Sequence, residues 1–68
     1  MNSNVTGISL LRLEAVKLKT GLARSTLYKL ISAGDFPLPV KLTGKAIAWA
    51  SNEIELWIET RMSARGTS

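Results

Sequence analysis

Ser25, Tyr28, Lys29 and Ser32 stand at positions i, i+3, i+4 and i+7. Wound as a helix, they put two hydroxyls, a phenol and an amine on one face. Such a face can both donate and accept hydrogen bonds, and duplex DNA offers partners for both in its base edges and phosphates. Leu27, Leu30 and Ile31 fall on the opposite side, which gives the helix a surface to pack. A hydroxyl- and lysine-bearing face on an isolated helix is usually just solvated, so the elements around it decide what it can do.

Thr20 to Ile31 reads TGLARSTLYKLI. A helical pattern over Leu13 to about Lys19 stops at Thr20-Gly21, and a second begins within three residues and spans Ala23 to Ala33. Glycine suits the junction because it accepts positive φ without a Cβ penalty. Neither helix is long enough to stand alone, so the two must pack across each other. This spacing predicts a helix-turn-helix with Ala23 to Ala33 as its recognition helix. In the first helix Leu13, Val16 and Thr20 share the inner face, Leu18 points elsewhere as cover for a loop, and Glu14 early with Lys19 late suits the helix dipole. Ala23 at the second N-cap forgoes about 1 kcal/mol relative to a hydroxyl or carboxylate cap, unless Ser25 caps a later start. Gly34-Asp35 ends the helix.

Phe36-Pro37-Leu38-Pro39 cannot be helical, since proline removes donors and forces the residue before it into an extended conformation. Phe36 is expected in the core against Leu27 or Ile31. Pro39 to Ala50 reads as a hairpin in which Val40 and Leu42 alternate with Lys41, Thr43-Gly44-Lys45 makes the turn, and Ala46 to Trp49 returns. A basic turn beside a helix-turn-helix is what a DNA-contacting wing needs, with Lys41 and Lys45 reaching phosphates or a minor groove. Leu10 to Leu13 either pairs briefly as a strand or leads into the first helix. A last helix from Ser51 to about Ala64 buries Ile54, Trp57, Ile58 and the stem of Arg61, and both Trp49 and Trp57 are expected in the core. Leu56 lies opposite that stripe and, if exposed, marks a weak partner surface.

Sixty-eight residues make one domain at most. The expected layout is a flexible tail over residues 1–9, the folded domain over 10–64, and a fraying tail over 65–68. With no cysteine and no histidine, disulfides, thiolate or imidazole metal sites and imidazole bases are excluded, and no cofactor is called for. Glu55 and Glu59, at i, i+4 on a solvated face, have no nucleophile or metal ligand beside them, so an enzyme is not expected. No apolar run approaches a membrane span, and MNSNVTGIS lacks the pattern of a secretory signal; a soluble cytoplasmic protein is the expectation. The formal net charge is +4. Residues 1–45 hold seven cations against two carboxylates, a net of +5, and residues 46–68 hold two against three, a net of −1. The positive charge lies with the candidate DNA-reading elements and suits a polyanionic partner.

Taken in order, Leu11-Arg12-Leu13, Val16, Thr20-Gly21-Leu22, Arg24-Ser25-Thr26-Leu27-Tyr28, Gly34, Phe36-Pro37, Pro39-Val40-Lys41-Leu42, Ala46-Ile47-Ala48-Trp49, Glu53-Ile54 and Trp57-Ile58 resemble the AlpA family of small phage- and prophage-associated DNA-binding regulators. The resemblance covers about residues 8 to 62. It implies a mainly α fold with a small β-hairpin, a winged helix-turn-helix related to the MerR-type module and to phage excisionases. It carries DNA contacts onto Arg24, Ser25, Thr26, Tyr28 and Lys29 in the helix and Lys45 in the wing. With Ser32, Lys41 and Thr43 from the reading above, these are the candidate site residues. Four positions depart from the pattern: Ala23 replaces a common serine cap, Leu38 a common basic residue, Lys45 the usual arginine, and Ala50 a polar or basic residue. Together they lower the expected affinity of a single copy, and the loss of arginine at Lys45 removes bidentate geometry.

The expectation is a sequence-specific binder of double-stranded DNA, with Arg24 at the helix start reading a guanine and Lys41 and Lys45 holding the adjacent backbone. Adjacent copies on DNA, or a protein partner such as an integrase or the transcription machinery, would supply the remaining affinity. Three outcomes stay open: a transcription regulator of phage or prophage genes, an excisionase-like factor that binds and bends attachment-site DNA, and, from another class, a small interaction module or anti-repressor using Leu56 and Met62.

Overall fold

A computed structural model of the chain describes residues 7–66. Residues 1–6 and 67–68, where the sequence places most of both tails, lie outside the described residues. The order is β1 (Leu10–Leu11), α1 (Leu13–Thr20), α2 (Arg24–Ser32), β2 (Val40–Lys41), β3 (Ile47–Ala50) and α3 (Ser51–Gly66). This is the mainly helical winged helix-turn-helix the sequence predicts. α3 continues through Gly66, past the expected end near Ala64.

Two left-handed glycines set the lengths of the first two helices. Gly21, at φ 74°, donates its N–H to the Lys17 carbonyl at 2.8 Å and stops α1. The Thr20 hydroxyl donates back to the Val16 carbonyl and accepts the Leu22 N–H, which fixes the turn between the helices. Gly34, at φ 81°, closes α2: its N–H goes to the Ile31 carbonyl and that of Asp35 to the Leu30 carbonyl, the paired bonds of a Schellman end. At its other end α2 starts from Ala23, which makes no side-chain cap bond. Ser25 lies inside the helix and caps no later start.

Leu10-Leu11 forms a strand, and the sheet order is β1-β3-β2 with both pairings antiparallel. Register places Leu11 opposite Trp49 and Lys41 opposite Ile47, so these four share one face of the sheet. Leu10, Val40 and Ala50 share the other, where Leu10, Val40 and the neighbouring Leu42 remain exposed. Ser9, which the sequence assigns to the tail, extends the ladder. Its carbonyl accepts the Ser51 N–H at 2.7 Å, and its N–H donates to the buried Ser51 Oγ at 2.8 Å.

The core draws one side chain from each layer: Val16 of α1, Leu27 of α2, Phe36 of the following loop, Trp49 of β3 and Ile54 of α3. The two tryptophans do more than fill it. Trp49 Nε1 donates to the Pro37 carbonyl at 3.0 Å and Trp57 Nε1 to the Asp35 carbonyl at 2.7 Å. They pin the non-helical crossing on both sides of Phe36, whose ring meets Trp57 edge-on at 4.9 Å. Trp49 is fully buried; Trp57 is only half-buried, with the Arg61 guanidinium 4.7 Å from its ring. Leu18 corrects the sequence expectation, since at 86 % exposed it covers no loop.

Candidate nucleic-acid interface

α2 is anchored by its inner side alone. Leu27 is fully buried, and Leu30 and Ile31 pack against the core. Helical spacing then turns Ser25, Thr26, Tyr28, Lys29 and Ser32 outward, and all five are exposed. Arg24, the first helical residue, is exposed as well. The polar face expected from the sequence therefore exists as a continuous surface with none of the described residues laid over it.

The wing is built beside that face. The Thr43 hydroxyl oxygen accepts the N–H of Lys45 at 3.3 Å and of Ala46 at 3.1 Å, while the Ala46 carbonyl takes the N–H of Leu42. Thr43 is thus engaged in shaping the turn, and Lys45 is held exposed at its tip. Lys41 is exposed and lies on the same sheet face as Ile47.

Helix and wing meet at a cleft of about 340 Å³. Arg24 and Tyr28 of α2 and Lys45 of the wing line it, over a floor of Leu13 and Ile47. Ser25, Thr26, Lys29 and Ser32 lie along the exposed helix outside it, and Lys41 and Thr43 belong to the hairpin. The cleft also contains Arg12 and Glu14 from the start of α1. Arg12 is absent from the sequence-derived site residues. One signal for it was legible: it is the N-cap of α1, with no side-chain cap bond, where hydroxyls and carboxylates are favoured and a cation opposes the dipole. Glu14 is turned toward Lys17, 3.6 Å away. Among the described residues Arg12, Arg24 and Lys45 form no ion pair.

A second, larger groove of about 590 Å³ runs between the 34–38 crossing and α3 and is lined by Leu38, Leu56 and Trp57 with Asp35 and Glu53. Leu38 is 69 % and Leu56 64 % exposed. It shares no residue with the basic cleft, in keeping with the charge division along the sequence. Among the described residues there is no cluster of three or more acidic, histidine or cysteine side chains that could hold a metal ion. No described helix is long and apolar enough to cross a membrane.

Two short helices across a glycine turn, a hairpin wing and a basic cleft between them define a winged helix-turn-helix protein. The chain belongs to the AlpA family: residues 9–62 match the family described as Prophage CP4-57 regulatory protein (AlpA). It is 40 % identical over 62 residues to ORF88, an uncharacterized protein of Enterobacteria phage P4, covering 91 % of this chain and 70 % of that one. It is 34 % identical over 65 residues to the DNA-binding transcriptional activator AlpA of Escherichia coli strain K12, covering 87 % of this chain and 93 % of the activator.

Proposed function

We infer that the chain is a sequence-specific DNA-binding regulator of phage or prophage genes, with α2 entering the major groove and the wing resting on the adjacent backbone. The observation that carries this is the side-by-side placement of the exposed face of α2, Ser25 to Ser32, and a wing whose lysine shares a cleft with Arg24. A helix anchored only on its inner side can enter a groove without disturbing the core. The cations on each flank oppose phosphates rather than carboxylates of their own chain. The E. coli relative, a DNA-binding transcriptional activator, supports the same reading.

In this arrangement Arg24 reads a guanine from the start of α2, Ser25, Tyr28 and Lys29 meet base edges or phosphates, and Lys41 and Lys45 hold the backbone. Selection of duplexes from a random pool by the intact chain tests it. Enrichment of one motif is expected, with affinity that falls steeply with salt; recovery of no preferred sequence at low salt would overturn the reading.

A further inference from the structure

Arg12, Arg24 and Lys45 come from three separate elements and share one cleft. Two of them break a local rule. Arg12 is the N-cap of α1 and Arg24 the first residue of α2, so each guanidinium sits at the positive end of a helix, where an anion is favoured and a cation is not. Neither helix has a side-chain cap to offset this. Among the described residues no carboxylate forms an ion pair with any of the three; Glu14 lines the same cleft but pairs with Lys17, 3.6 Å away. A concentration of positive charge that the fold itself leaves unneutralised is a feature sequences tolerate where function needs it.

The geometry points to a phosphate-binding site at this cleft, in which Arg12 and Lys45 clamp one backbone phosphate of the DNA from opposite sides. The Tyr28 hydroxyl is a further donor to that phosphate. The inference rests on the DNA-binding reading above and adds a residue and a ligand group to it. The clamp sets the depth of α2, because a phosphate seated between the start of α1 and the wing tip fixes how far Arg24 reaches toward the bases. Arg12 is therefore a positioning contact: it carries no sequence information, yet its loss weakens every sequence.

The test is a salt titration of the full chain on the duplex it selects, with Arg12→Ala, Arg12→Lys and Glu14→Gln compared. Each phosphate contact contributes about −0.9 to the slope of log affinity against log salt. Arg12→Ala should flatten the slope by about that amount, weaken binding about tenfold, leave the selected motif unchanged, and not lower the melting temperature of the free protein. Arg12→Lys should restore the slope, and Glu14→Gln should bind more tightly than wild type. A methylphosphonate replacing one linkage of the duplex should erase the difference between wild type and Arg12→Ala, which inorganic phosphate at the same ionic strength should not. If wild type selects a motif but Arg12→Ala keeps the wild-type slope, or lowers only the melting temperature, the clamp is wrong and the DNA-binding reading stands. If wild type selects no motif, the reading beneath it fails.

Discussion

Arg24 and Lys45 line the same cleft but are assigned different tasks, and substitution separates them. Arg24→Ala should cost about 1–3 kcal/mol on the preferred sequence and relax the preference at one base. Lys45→Ala should weaken all sequences alike and reduce the salt slope by about one contact. Competition gel shifts against single-base variants of the selected site distinguish the two; equal behaviour of both variants would contradict the assignment. Trp49 tests the interior at the same scale. Trp49→Phe deletes the donor to the Pro37 carbonyl and should cost about 1–3 kcal/mol in urea denaturation, with the selected motif unchanged because the indole is fully buried. Residue by residue, the exposed face of α2 was legible from helical spacing, since Leu27 and its neighbours left one side free. The odd place of Arg12 at the N-cap of α1 was legible too, but its membership of the cleft was not, because that depends on the wing returning beside the start of α1, more than thirty positions away along the chain. The bonds from the two indoles to the carbonyls of Pro37 and Asp35, 12 and 22 positions away, were hidden for the same reason: they join separate elements.

The elements were more legible than their side chains. Gly21 and Gly34 gave the ends of α1 and α2 because only their conformation allows the closing bonds observed. Thr43-Gly44-Lys45 gave the wing. The pairing of β1 with β3 was left open by Leu10 to Leu13, since two apolar residues suit a strand and a helix start equally well. The misjudged side chain is Leu18: its apolar character suggested a covering role, whereas the face of α1 it occupies points to solvent. The weakest link among the elements is the start of α2, where Ala23 offers no side-chain acceptor. Ala23→Ser should add about 1 kcal/mol and raise the melting temperature by roughly 4–8 °C, read by thermal denaturation followed by circular dichroism. An unchanged or lowered midpoint would mean that this helix start is already satisfied in another way.

At the scale of the whole molecule the charge is divided, with the basic cleft built from α1, α2 and the wing, and Glu53, Glu55 and Glu59 carried by α3. Lys19 and Glu55, 3.8 Å apart, join the two regions. The apolar groove at Leu38, Leu56 and Trp57 includes Asp35 and Glu53 and shares no residue with the basic cleft. Footprints beside the chain's own gene, at a promoter or across repeated sites in an attachment region, would separate a transcription regulator from an excision factor. The claim beneath both is that the outer face of α2 enters DNA. Titration of the isotopically labelled chain with its selected duplex measures it directly: the amide resonances of Arg24 to Lys29 should move together with those of Arg12 and Lys45, while those of Glu53 to Glu59 stay in place. Resonances from Arg24 to Lys29 that remain unmoved at saturation would contradict the account.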